Sequence, residues 1–376
     1  MKLFDVYPRF NITPKSARGV YVYNENDQQY LDLYGGHGVI SIGHSHPTYV
    51  DKIQKQLSKI GFYSNSVEMP IQDELANELG KQSGYLDYNL FLCNSGAEAN
   101  ENALKLASFH TGKRKVIAFK GSFHGRTAAA LNVTDSAPAS SSISQDQFPV
   151  EFLELNNSEQ LKTAFLKDDI CAVIIEGIQG VGGLDIPTPT FLNQLSESCK
   201  ANGAILILDE IQSGFGRSGK FFAHQSADIK PDLITVAKGM GNGFPIAGVL
   251  ISPEIKASHG MLGTTFGGNH LACAASLAVL EVFSTENLIE NVEPVSDYLV
   301  ESLKSIPAIK QIKGKGLMLG IDLGFPVKEL RSKILSEDFI FTGASANPNL
   351  LRILPPLCIT TEQITPFISS LKKHLS

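Results

Sequence analysis

At 376 residues, with 43% hydrophobic and 19% charged side chains and no tryptophan, the chain is long enough for two domains and has the make-up of a globular enzyme. A net charge of −6 gives no electrostatic footprint for nucleic acid or an anionic membrane, so small molecules are the expected partners. Five scattered cysteines without a C-x-x-C pair argue against a disulfide framework or a zinc site and read as reduced core thiols.

Met1 to Arg9 lacks the apolar run of a signal peptide, and no stretch approaches about 18 uncharged apolar residues, which predicts a cytoplasmic protein. Gly19 to Leu33 reads as a β-hairpin turning at Asn24-Glu25-Asn26-Asp27, and Gly35-Gly36-His37-Gly38 follows. In Gly43-His44-Ser45-His46-Pro47 two histidines at i, i+2 form a weak metal set. A turn that caps a helix from Pro47 through about Ile60 is the better reading. Leu90 to Cys93 is a short strand, after which Asn94-Ser95-Gly96-Ala97-Glu98 turns into a helix running to about Ser108. Its free N–H groups and positive dipole end make an anion site, and Ser95 with Glu98 also fits a capping box; both readings can hold together.

A strand from Lys115 to Phe119 leads into Phe123-His124-Gly125-Arg126, an aromatic, a histidine and an arginine within four residues. Ala137 to Ser144 is small and polar, as in a surface loop. Cys171 to Ile175 is another apolar strand, closing in Glu176-Gly177-Ile178-Gln179-Gly180-Val181. Short strands alternate with helical patterns from about residue 90 to 250, the signature of a mostly parallel α/β sheet. Gly214 to Lys220 matches G-x-x-x-x-G-K, but Phe221 stands where a P-loop needs Ser or Thr, and the glycines at 239, 241 and 243 miss the dinucleotide pattern. Past a helix from His270 to about Phe283 the pattern becomes α+β: a helix from Val292 to Ser305, a hairpin from Ile309 to Leu323, a helix from Pro326 to Ser336, a strand from Leu350 to Leu354 and a terminal helix. Arg352 lies in that last apolar strand, where its charge needs an anion.

Two strand ends carry the chemistry. Leu233 to Ala237 is β-branched and uncharged, and Lys238 sits where it hands over to a loop, the place where ligands bind in open α/β sheets. Upstream, Ile205 to Leu208 ends in Asp209, a carboxylate that needs a partner at the floor of a cleft. A Schiff-base lysine and an acid that keeps a pyridine nitrogen protonated are the two groups pyridoxal phosphate chemistry requires.

With these motifs in order from Tyr7 to Arg352, the sequence resembles the class III (ω-amino-acid) aminotransferases of the fold-type I pyridoxal phosphate enzymes. Within them it is similar to the acetylornithine/succinylornithine/ornithine aminotransferase group. The resemblance implies a large cofactor-binding α/β domain at 47–275, a smaller α+β domain at 276–376 and an N-terminal segment, 1–46, packing with the small domain. It implies that Lys238 carries the cofactor, Asp209 partners its ring nitrogen, Gln212 bonds its phenolic oxygen and Phe123 stacks on the ring. Ser95, Gly96 and Ala97 would hold the phosphate, and Thr265 would reach the phosphate of a neighbouring subunit in a homodimer. Arg126 would bind the distal substrate carboxylate, Arg352 the one near the reacting carbon, and Tyr7 the substrate. The reaction implied moves the terminal amine of acetyl- or succinylornithine to 2-oxoglutarate, as in arginine biosynthesis. Ornithine, 4-aminobutyrate or another ω-amine is an alternative donor, and a racemase or aminomutase of the same family an alternative reaction.

Two departures stand out. Where the family commonly has a glutamate to cover the second arginine, this chain has Val181, so Arg352 is expected either to find another acid or to swing to solvent. Gly35 to Gly38 also differs from the family's small-aliphatic run and leaves room for an unusual acyl group.

Overall fold

The computed structural model describes residues 1–135, 147–166 and 169–376; the stretch 137–144, read above as a loop, lies outside them. Charge-free runs build its centre. Strands β1 (Pro14–Arg18), β2 (Tyr21–Asn24) and β3 (Gln29–Asp32) form an N-terminal sheet. Next come β4 (Asn89–Cys93), β5 (Lys115–Phe119), β6 (Val150–Leu153), β7 (Ile170–Glu176), β8 (Ile205–Asp209), β9 (Leu233–Val236) and β10 (Ala247–Ile251). These seven make one sheet in the order β4-β10-β9-β8-β7-β5-β6, parallel except that β10 runs against both its neighbours. Every residue of β7, β8 and β9 is buried, as expected for parallel strands covered on both faces. The helix Gly96–Thr111 packs on one face and the helices Ser158–Phe165 and Pro189–Asn202 on the other.

Strands β11 (Gln311–Lys315), β12 (Met318–Asp322), β13 (Ile340–Phe341), β14 (Gly343–Ala344) and β15 (Leu350–Ile353) follow. Four of them form a third sheet, β11-β12-β15-β14, while β13 joins the N-terminal sheet by pairing parallel with β3. Arg352 thus sits on a central strand of the third sheet.

Several helix boundaries differ from those expected. The helix opened by Pro47 ends at Leu57 and not at Ile60, and the one after Ser95 runs on to Thr111. The helix expected from Val292 starts at Leu288 and contains Pro294. Leu288, Val292, Val295, Leu299 and Leu303 share its buried face, and that burial outweighs the one main-chain bond the proline cannot make. The five cysteines are free thiols, four of them buried. Among the described residues no single helix is long and apolar enough to cross a membrane.

Candidate active site

Parallel register aligns the reactive edge of the sheet. Glu176 pairs with Asp209 and Asp209 with Thr235, so the ends of three neighbouring strands meet at their carboxyl side. Lys238 follows three residues later, at the start of a short 3-10 turn. Its φ of +47° is left-handed, a conformation that costs a non-glycine residue about 1–2 kcal/mol and persists only when neighbours fix it. Here they do. The Asn242 side chain accepts from the amides of Ser41 (2.8 Å) and Ile42 (3.1 Å) and donates to the Gly43 carbonyl (2.9 Å). Ser41 Oγ donates to the Gly239 carbonyl and Tyr49 to that of Gly241.

Lys238 faces a cavity of about 440 Å³ whose walls include Ser95, Gly96, Ala97, Phe123, Arg126, Asp209 and Gln212. Burial lowers its ammonium to about 8; Asp209 opposes that shift and Arg352 adds to it. The amine is therefore far more often neutral near pH 7 than a surface lysine is.

Asp209 is 4% exposed and held from three elements. Its Oδ2 accepts from Asn100 Nδ2 (2.8 Å) and lies 2.7 Å from His124 Nδ1, and its Oδ1 accepts from the Ile211 amide (3.0 Å). An ionised carboxylate has about four acceptor positions, so one remains for a donor in the cavity. Glu176, also in the cavity wall, accepts from the amides of Phe123 and Gly180, both at 2.9 Å. Burial pushes its carboxyl up to about 7, with His124 lowering and Asp209 raising it.

At the start of helix Gly96–Thr111, Ser95 Oγ accepts from the Glu98 amide (3.3 Å). The Glu98 carboxylate reaches back to the amide and side chain of Asn94, both at 2.9 Å, one residue before the cap. The box is thus displaced by one residue, while the first-turn N–H groups at the cavity stay outside the helical ladder. A side chain at Gly96 would meet Ile211 at 2.9 Å, so glycine is what lets Ile211 lie against the helix start.

The arginines behave differently from each other. Arg126 is exposed at the cavity, its guanidinium 5.8 Å from the centroid of the Phe123 ring. Arg352 is 3% exposed, which corrects the expectation that it finds an acid or swings to solvent. It donates to the Gly180 carbonyl and to Gln212 Oε1 (3.3 Å), its Nε has no partner, and among the described residues no carboxylate forms an ion pair with it. Neutral acceptors are available there because the chain turns at Gly180; burial still lowers the Arg352 pKa, partly offset by Tyr34 and Glu176. Gln212 completes the group by donating to the His37 carbonyl at 2.9 Å.

Tyr7 is 76% exposed and Thr265 is exposed, and neither belongs to the cavity wall. His44 pairs with Asp32 and His46 with Glu286, each at 2.8 Å, and no metal cluster occurs among the described residues. In the P-loop near-match, Arg217 is buried and bonded to main-chain carbonyls, including Pro355. Asn100, Thr235, His124 and Glu176 were not singled out as site residues from sequence. Asn100 carried a signal, a carboxamide at the apolar spacing of Ala103, Leu104 and Ala107.

The aminotransferase class-III family model matches residues 5–375. The chain belongs to the class III aminotransferases. Acetylornithine aminotransferase of Bacillus subtilis is 38% identical over 380 residues, covering 100% of this chain and 97% of that protein. The [LysW]-aminoadipate semialdehyde/glutamate semialdehyde transaminase of Sulfolobus acidocaldarius is 37% identical over 100% of this chain and 97% of its own length. Among solved structures, acetylornithine aminotransferase from Elizabethkingia anophelis superposes with a TM-score of 0.85 at 27% identity, over 99% of this chain and 96% of that one. Class III aminotransferases depend on pyridoxal phosphate, and the donor set of this cavity fits it. The helix start at Ser95–Ala97 suits an anionic phosphate, the open acceptor position of Asp209 a ring N–H, and the low-pKa amine of Lys238 an aldehyde.

Proposed function

We propose that this aminotransferase is a cytoplasmic homodimer that moves the terminal amine of an N-acylated ornithine, acetyl or succinyl, to 2-oxoglutarate, a step of arginine biosynthesis. The donor assignment is carried by the full-length identity to the Bacillus subtilis acetylornithine aminotransferase. A second donor class, LysW-linked aminoadipate or glutamate semialdehyde chemistry, is favoured by the Sulfolobus relative.

Bound pyridoxal phosphate would supply the electron sink for the pair released when the substrate's carbon–hydrogen bond breaks. Lys238 would hold the cofactor and, with its amine lowered by burial, would serve as the base that takes that proton from the substrate's carbon. Asp209, with its open acceptor position, would accept from the ring nitrogen's N–H, and Phe123 would cover the ring. Gln212 would give an amide N–H to the phenolic oxygen. Arg126 binds the distal carboxylate at the mouth, and Arg352 receives the α-carboxylate of 2-oxoglutarate in place of Gln212. Thr265, exposed, would reach the partner subunit's phosphate, and Tyr7, also exposed, would contact the substrate.

A single-turnover titration tests the reading: N-acetylornithine, N-succinylornithine, ornithine and 4-aminobutyrate are added separately to the cofactor-loaded enzyme while its visible band is followed. One acylornithine should bleach the band rapidly and 2-oxoglutarate should restore it; if none of the four does, the arginine-pathway assignment fails.

A further inference from the structure

One polar side chain interrupts the apolar face of the helix Gly96–Thr111. Asn100 is completely buried with Ala103, Leu104 and Ala107, where a carboxamide is tolerated only if both its ends find partners. Its Nδ2 donates to Asp209 Oδ2 (2.8 Å) and to the His124 carbonyl (2.7 Å), and its Oδ1 accepts from Thr235 Oγ1 at 2.8 Å. Thr235 is equally buried and stands in register with Asp209 on the adjacent strand. The Asp209 carboxylate and the His124 carbonyl only accept, so they determine how the amide faces: turned over, it would set its oxygen against both. Oδ1 then needs a donor, and the Thr235 hydroxyl supplies it.

We propose that Asn100 and Thr235 are a positioning pair that keeps the Asp209 carboxylate aimed into the cavity, where it would meet the cofactor's ring nitrogen. The inference rests on the reading of Asp209 as partner of that nitrogen. The other titratable groups facing Asp209 are His124 after β5, Glu176 at the end of β7 and Lys238 after β9. Of these only His124 bonds it directly, through the same Oδ2, so loss of Asn100 leaves that oxygen with one donor of two.

Four variants decide the matter: Thr235→Val, which keeps the shape and removes the donor; Thr235→Ser, which keeps the donor; Asn100→Asp, which sets a second carboxylate against the first; and Asp209→Ala. Each holoenzyme is depleted of cofactor and titrated with pyridoxal phosphate, reading the dissociation constant and the pH midpoint of the bound cofactor's visible band. Thr235→Val should weaken binding about tenfold and shift the midpoint, Thr235→Ser should stay within about twofold, and Asn100→Asp should exceed Thr235→Val. If Asp209→Ala moves both readouts while Thr235→Val and Asn100→Asp only lower the melting temperature, the pair is structural and the proposal is overturned. If Asp209→Ala moves neither, the reading of Asp209 itself fails, and this inference with it.

Discussion

Asp209 and Glu210 are chain neighbours, both buried carboxylates, and each lies against a histidine, His124 and His224. Glu210 has all of its acceptor capacity filled. Its Oε1 accepts from the amide of His224 and lies 2.8 Å from Nδ1 of that ring, its Oε2 accepts from Ser213 Oγ and the Ala223 amide, and His224 Nε2 meets the Tyr85 hydroxyl. Asp209 keeps a position open toward the cavity, and His124 Nε2 has no partner. Unsatisfied capacity facing a cavity separates these adjacent carboxylates better than burial or charge does, and under the proposed function it divides them between structure and reactivity.

Three substitutions can break this division. Lys238→Ala, on the reactive side, should lower turnover by on the order of 10⁴-fold or more with the melting temperature little changed. Asp209→Ala should follow at on the order of 10³-fold. Glu210→Ala should instead act on the fold, because it strands His224 and the Ala223 amide without their acceptor. A loss of about 3–5 kcal/mol is expected, read as a drop of roughly 10 °C in melting temperature. An unaltered melting curve for Glu210→Ala, or a collapsed one for Asp209→Ala, would erase the distinction.

Much of this architecture was legible in the residues. Buried strands such as Lys115–Phe119 are unbroken apolar runs whose ends coincide with polar residues, and Lys238 and Asp209 mark the ends of two of them. By contrast, β1 was missed because Pro14–Arg18 is largely exposed and has no apolar alternation, and β13 and β14, at two residues each, are too short to leave a pattern. Partners were harder still. Asn100 meets Asp209 across 109 positions and Arg352 meets Gly180 across 172, contacts that only strand order and register create.

A smaller effect probes the reactive side through pH. The Lys238 amine, lowered to about 8 by burial, attacks an aldehyde only when neutral, so its reactive fraction rises with pH up to about 8 and then levels. Capture of pyridoxal phosphate by the cofactor-free enzyme should accelerate about tenfold per unit between pH 6 and 7 and flatten above about 8, measured by stopped-flow absorbance. An ordinary lysine would keep accelerating beyond pH 9, and that result would mean that the cavity does not desolvate the amine.

The smallest expected change concerns Arg352, which, like Asp209, is buried with capacity to spare. Its present partners, the Gly180 carbonyl and Gln212, are neutral, so in its proposed role a substrate carboxylate would displace only a carboxamide. Val181→Glu would place an acid in the cavity wall beside Gly180, and a carboxylate resident on Arg352 competes with the substrate for the same guanidinium. The KM for 2-oxoglutarate should rise by roughly tenfold while that of the amine donor, which presents no carboxylate near the reacting carbon, stays put. Steady-state kinetics with each substrate varied in turn gives the ratio directly. Equal shifts for both substrates would mean that the new acid disturbs the cavity as a whole, and that the neutral partners of Arg352 do not set which substrate it accepts.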